Sequence, residues 1–244
     1  MLDDILWLVT ARSGSKGIPN KNVKNLNGIP LMAYRIMTAL SISPKENVWV
    51  STDSIEYCDI AKEWGAQVPF LRPKELSLDK SSSVDVVLHA MNYAETNGRK
   101  FNYIGLLEPT SPFVYIEDLL AAINQLKSRE EYKSIIAVRE SRPNTIFIQD
   151  HAEYLDKISE RICKIKDLGR KNFNIEITPS GGFYIAKWSD FLKTKNFYTS
   201  RSTSYLLPDE SSLEIDEFID WIWAEFLIEK KIIDINKLFN RPID

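Results

Sequence analysis

Cysteine and histidine are scarce in this chain, and their scarcity excludes several kinds of chemistry. The 244 residues hold two cysteines, Cys58 and Cys163, far apart and without CxxC spacing, so neither a disulfide framework nor a thiolate metal site is expected. A reducing compartment is the simpler inference. The two histidines, His89 and His151, have no neighbours arranged as metal ligands, and no Ser-His-Asp set is evident. Long apolar runs are missing as well: none approaches the roughly 20 residues that cross a bilayer. The opening MLDDILWLVT carries acidic residues where a signal peptide would carry positive charge. These features place the chain in the cytoplasm, with no membrane partner. Basic charge is not in excess either, since 31 Lys and Arg face 34 Asp and Glu for a net charge of -3, so nucleic acid is not an expected partner.

What is present is enough apolar material, 44% of the chain, to bury a sizeable core. An apolar run at Ile5 to Thr10 reads as a buried strand that empties into a loop. A helix follows over Leu31 to Ser41, with Pro30 suited to its first position. Then come a strand at Val48 to Val50 and a helix over Ile55 to Trp64, with Ser54 placed to cap it. The rhythm continues with an amphipathic stretch at Val84 to Ala94, a strand at Tyr103 to Leu107, a helix at Ile116 to Leu126 and a strand at Ser134 to Arg139. Residues 140–178 break it and read as an insertion. Gly181 to Ala186 reads as a returning core strand, Ser200 to Leu207 is ambiguous, and Asp216 to Ile228 is a terminal helix rich in Phe, Ile and Trp. The alternation predicts an α/β fold: a doubly wound, mainly parallel sheet over a single domain, 1–244, with ligands gathered at the carboxyl ends of the strands.

The loop after the first strand, Ala11 to Asn22, combines glycines, hydroxyls and the cations Arg12, Lys16 and Lys21. Glycines let backbone N–H groups approach phosphate oxygens, and the cations can neutralise them. Taken alone, the loop also fits a solvated basic turn. It matches neither GxxxxGK[ST] nor GxGxxG, so the two common nucleotide fingerprints do not apply. In the late run Ser212 to Asp216, carboxylates alternate with apolar residues, which in a strand would turn Glu214 and Asp216 to one face, a pair suited to a hard cation. The same run also fits an acidic helix start capped by Asp216. His89 reads as structural, and Trp221, Trp223 and Phe226 read as helix packing.

The loop A-R-S-G-S-K-G-I-P-N-K-N resembles the signature loop of the acylneuraminate cytidylyltransferase family. Further blocks resemble that family in order: VWVSTD at 48–53, AKEWGAQV at 61–68, RP at 72–73, DKSSSVD at 79–85, LEPTSP at 107–112 and SLEID at 212–216. The resemblance implies a Rossmann-like nucleotidyltransferase that joins CMP, taken from CTP, to an acidic nonulosonic acid of sialic, legionaminic or pseudaminic type. It implies Mg2+ or Mn2+ as cofactor, CTP and the acidic sugar as partners, and a homodimer built through 140–178. By the same resemblance, Arg12, Ser15, Lys16, Asn22, Arg72 and Ser83 hold the nucleotide, although Ser83 also fits a plain helix cap. Lys21 faces the reacting α-phosphate, with Arg12 and Asp216 beside the chemistry, and Asp216 and Glu214 hold the metal. Glu108, Thr110, Ser111, Arg170 and Tyr184 fall on the sugar side.

The chain also departs from the family. Glu108 stands where Gln is common, Val114 where Arg is, Thr178 where Arg is, Ser180 where Asn is, and Glu214 where Asp is. These departures keep two other readings open. One is a cytidylyltransferase for another acid such as Kdo, whose first loop resembles S-x-R-x-P-G-K rather than S-K-G-I-P-N-K-N; the other is a nucleotide-binding module without turnover.

Overall fold

The computed structural model describes residues 2–78, 80–141 and 176–239. Strands β1 (Ile5–Thr10), β4 (Val48–Ser51), β5 (Tyr103–Leu107), β6 (Ser134–Glu140), β7 (Ile177–Lys187) and β8 (Ser202–Leu206) form one sheet in the order β4-β1-β5-β7-β6-β8. Five of them run the same way, and only β7 is antiparallel to its neighbours. The mainly parallel sheet read from the sequence is therefore present. A two-stranded hairpin, β2 (Asn25–Leu26) with β3 (Ile29–Pro30), stands apart from it.

Strand β1 shows why the sheet is covered on both sides. Its residues alternate between faces, and both sets are apolar. Ile5, Trp7 and Val9 pack with α1 (Leu31–Leu40), α2 (Ile55–Glu63) and α4 (Ile116–Lys127), whereas Leu6 and Leu8 pack with α3 (Ser83–Thr96) and α5 (Trp188–Thr194). Gly105 in β5 makes room for this packing, because a Cβ there would meet the Trp7 ring at 2.4 Å. A third layer lies outside α1. There Leu31, Tyr34 and Met37 meet Trp221, Ala224 and Leu227 of α6 (Phe218–Glu229) and Leu238 of the short α7 (Ile235–Leu238).

Several expectations are corrected in detail. Pro30 closes β3 with ψ at 136° and precedes the helix instead of opening it. The ambiguous 200–207 run contains β8, a parallel edge strand beside β6. The terminal helix begins at Phe218, since Glu217 and Asp220 form a reciprocal capping box that leaves Asp216 outside the helix. Of the three aromatics read as helix packing only Trp221 is buried; Trp223 and Phe226 are 50% and 38% exposed, so they are not core packing. Ser54 caps α2 as expected, by accepting from Tyr57 N. The expected insertion, with Arg170 and most of the dimer segment, lies outside the described residues, and at its edges Glu140 belongs to β6 and Ile177 and Thr178 to β7.

Candidate active site

Parallel strands β1, β4 and β5 end side by side, and the loops leaving them close round a cavity of about 480 Å³. Arg12, Ser15, Lys16, Lys21, Asn22, Arg72, Ser83, Glu108, Thr110, Glu214 and Asp216 all line it, so segments up to about two hundred residues apart in sequence meet there. Of the described residues expected at the site, Ser111 and Tyr184 do not line it. Ser111 is fully buried behind the wall, where its hydroxyl donates to Ser180 O at 3.1 Å. Tyr184 sits deeper in β7, opposite Leu106 and Ile136, and its hydroxyl is engaged with Tyr198.

Side-chain contacts hold the first loop. Asp53, just beyond β4, accepts from Ser13 N at 2.9 Å and from Ser13 Oγ at 3.0 Å. Asn22 is buried, and its side-chain amide donates to Arg12 O at 3.0 Å, so it shapes the loop backbone as well as lining the cavity. Asn20 takes a left-handed conformation, φ 52°, and starts the 3-10 turn Lys21–Val23.

That turn aims Lys21 across the cavity. Its ammonium donates to Ile215 O at 2.7 Å and to Asp216 Oδ1 at 3.0 Å, with the lysine side chain only 12% exposed and the aspartate 67% exposed. The loop and the late acidic segment are thereby latched together. Gly17 approaches the same segment so closely that a Cβ would lie 2.4 Å from Asp216 O. Gly17→Ala is expected to destabilise the fold by about 1–3 kcal/mol, as overpacking against backbone does, and to weaken nucleotide affinity. Thermal melting and CTP titration check this, and unchanged values in both would refute the close approach.

Arg72 is buried and anchored on β4. Its Nε donates to Ser51 Oγ at 3.0 Å, a second nitrogen reaches Ser51 O, and its own N–H donates to Thr52 O. Burial lowers its pKa to about 10, still cationic at neutral pH. Ser83 opens α3 without capping it, because Ser82 accepts from Val84 N. The plain cap reading therefore belongs to Ser82, and the Ser83 side of the turn faces the cavity.

The opposite wall is acidic. The segment carrying Glu214 and Asp216 has no regular secondary structure and pairs in no strand, so the strand argument for their common face fails, although both line the cavity. The segment is pinned instead by Ile215 N donating to Thr110 O at 2.7 Å. Glu108 and Glu214 converge on Gly181, which has φ +63°: a Cβ there would meet Glu214 Oε1 at 2.9 Å and Glu108 Oε2 at 3.1 Å. Burial, then the neighbouring Glu214 and Asp216, push the Glu108 pKa up to about 7 against the pull of Lys21. Glu214 is raised as well, mainly by burial. Among the described residues no group of three His, Cys, Asp or Glu is placed to hold a metal alone. Glu214 and Asp216 instead offer two carboxylate oxygens beside a cationic loop.

A family model described as Cytidylyltransferase matches residues 6–169, about two thirds of the chain. The chain belongs to the cytidylyltransferase family. Among relatives of this cytidylyltransferase, the N-acylneuraminate cytidylyltransferase of Escherichia coli is 36% identical over 235 residues, covering 95% of this chain and 54% of that protein. The chain thus spans about half the length of that relative. The CMP-N,N'-diacetyllegionaminic acid synthase of Legionella pneumophila is 32% identical over 226 residues, covering 92% of this chain and 96% of the other. Among solved structures, a CMP:2-keto-3-deoxy-manno-octonic acid synthetase superposes with a TM-score of 0.65 at 13% identity, covering 94% of this chain and 100% of that one, a likeness of fold.

Two positions that shape this cytidylyltransferase site carried no role in the sequence reading, and two glycines carried a different one. Ser51 and Asp53 stood within a quoted block, and a polar cluster directly after a buried strand was the signal for them. Gly17 read with the loop's glycines as access for phosphate and Gly181 as the start of a returning strand, whereas what demands glycine at each is the approach of residues distant in sequence, Asp216 for one and Glu108 with Glu214 for the other.

Proposed function

We propose that the chain transfers CMP from CTP to the anomeric hydroxyl of an acidic nonulosonic acid, of sialic, legionaminic or pseudaminic type, and releases pyrophosphate. The observation that carries this reading is the latch of Lys21 onto Ile215 O and Asp216, which sets a mostly buried ammonium between the cationic loop and the acidic wall of one cavity. The full-length relationship to a legionaminic acid synthase supports the acceptor class.

In this reading the triphosphate lies along Arg12, Ser15 and Lys16, and Arg72 and Ser83 receive the nucleoside. The acceptor enters beside Glu108 and Thr110. Lys21 meets the charge that builds on the α-phosphoryl oxygens as the acceptor oxygen attacks and pyrophosphate departs in line, where preorganised cations contribute most. Asp216 fixes the direction of that ammonium. Glu214 and Asp216 would hold Mg2+ or Mn2+; two carboxylates completed by substrate phosphates and water suit such an ion better than an all-protein cage does. When bound, the ion would supply further neutralisation of the phosphates. The reaction is placed in the cytoplasm, and the chain works as a homodimer.

Pyrophosphate release tests the proposal, with CTP, Mg2+ and a panel of sialic, legionaminic and pseudaminic acids and Kdo. Release that requires CTP together with one nonulosonic acid is the expected result. Release with Kdo alone, or CTP binding without release for any acid, would overturn it.

A further inference from the structure

Arg35 is the one charged residue of α1, whose sequence is LMAYRIMTAL. Met32, Ile36 and Ala39 of that helix pack toward the sheet, and Leu31, Tyr34 and Met37 pack toward α6. Arg35 falls between the two sets and is fully buried. One terminal nitrogen of its guanidinium donates to Gly182 O at 2.7 Å. The other terminal nitrogen and Nε have no hydrogen-bond partner among the described residues, and burial pushes the pKa down to about 9. A buried cation so poorly paired costs stability, and it is a costly way to satisfy one carbonyl.

The bond falls where β7 leaves its ladders. Pairing with β5 ends at Tyr184 opposite Leu106, and pairing with β6 jumps from Tyr184 opposite Ile136 to Pro179 opposite Val138. Residues 180–183 lie between these pairs as a bulge, so ladder register does not fix them. Two side chains from elsewhere hold the bulge, one on each side of Gly181: Ser111 donates to Ser180 O at 3.1 Å, and Arg35 donates to Gly182 O. Gly181 itself, at φ +63°, is the residue on which Glu108 and Glu214 converge.

We propose that Arg35 is a positioning residue: by holding Gly182 O it fixes the bulge at Gly181 and, through it, the place of the Glu108 and Glu214 carboxylates on the acceptor side of the cavity. The guanidinium acts through the backbone and not as a counter-charge, since the charges that act on Glu108 are Glu214, Asp216 and Lys21. The nucleotide side is held independently, because Arg12, Lys16 and Arg72 reach the cavity from the loops after β1 and β4. The inference rests on the reading that the acceptor enters beside Glu108, so one readout is taken with no acceptor present.

Arg35→Met in the full chain removes the donor and the charge while keeping much of the bulk. Hydrogen exchange of the free protein is expected to quicken by roughly tenfold at the amides of 180–185, as loss of one bond to a charged donor allows. Melting is expected to stay within a few degrees of the parent, because the lost bond is offset by removal of a buried charge. In kinetics, kcat/KM for the acid that supports pyrophosphate release is expected to fall by roughly tenfold or more, with CTP affinity unchanged. Arg35→Lys keeps a donor of nearly the same reach and is expected to recover most of the exchange protection and of kcat/KM. Arg35→Gln is too short to reach Gly182 O and is expected to behave as Arg35→Met does, which decides the matter should the methionine variant fail to fold. Unchanged exchange at 180–185 overturns the proposal, as does a loss of CTP affinity as large as the loss for the acid, or no recovery in Arg35→Lys. So does a steep fall in melting temperature with unchanged acceptor kinetics, or failure of both Arg35→Met and Arg35→Gln to fold, since Arg35 would then serve the fold alone. A parent that releases no pyrophosphate with any acid sinks the reaction proposed above and leaves the exchange result to decide the role of Arg35.

Discussion

Lys21→Ala is expected to lower kcat by roughly 10²–10³, the usual cost of removing one preorganised charge from a transition state, while the affinity for CTP changes several-fold at most. The geometry supports this split. Lys21 spends its hydrogen bonds on Ile215 O and Asp216 Oδ1, which hold the ammonium at a fixed place in the cavity wall. Arg12 and Lys16 line the same cavity, so loss of Lys21 still leaves two cations in its lining. A rigid, mostly buried cation meets charge that develops during the reaction at little reorganisation cost. Asp216→Asn, which weakens the latch and removes one of the two carboxylates proposed to hold the ion, is expected to lower kcat as well. Steady-state kinetics with separate CTP titration checks both, and equal losses in kcat and in CTP affinity would reduce Lys21 to ground-state binding.

Glu108→Gln is expected to change both the pH dependence of stability and the choice of acceptor. In the folded chain the Glu108 pKa is about 7, above the ordinary 4.5, so between these values the folded state holds a proton that the unfolded state has released. Stability from this group is therefore present below pH 4.5 and is lost as pH rises through 7. Gln removes that dependence, so the variant should melt a few degrees above the parent near pH 8, on the order of what 1–2 kcal/mol gives a domain of this size, and should converge with it near pH 5. Melting curves without added metal read this directly. Parallel curves across pH 5–8 would mean that Glu108 does not titrate as its surroundings dictate. For the acceptor, an ionised carboxylate only accepts hydrogen bonds whereas an amide also donates, so relative kcat/KM among acidic sugars should shift by roughly tenfold or more. The KM for CTP should stay put.

The fold was legible wherever a segment's own pattern decided its state. The boundaries of β1 and β5 were read as they stand, because each is a short apolar run ended by polar or glycine chemistry. Strand β8 escaped because STSYL is an edge strand whose partner, β6, supplies what its composition does not. Helix α6 departs from its reading at Trp223 and Phe226, which read as helix packing, because a helix packs only one side on α1 and the rest faces outward. The resemblance to acylneuraminate cytidylyltransferases is matched by the family and by the relatives. The loop's cations reach the cavity, but two details of the expected site depended on tertiary contact. Ser111 turns to Ser180 O behind the wall, and Glu214 and Asp216 share the cavity because Ile215 is tied to Thr110 O, not because a strand aligns them.

The most direct test of the account is the mass and ³¹P spectrum of the product formed from CTP, Mg2+ and the acid that supports pyrophosphate release. The account predicts an intact CMP diester of a nonulosonic acid, formed in step with one pyrophosphate. Free CMP beside unreacted sugar would show that water, not the sugar hydroxyl, is the acceptor, and would contradict it.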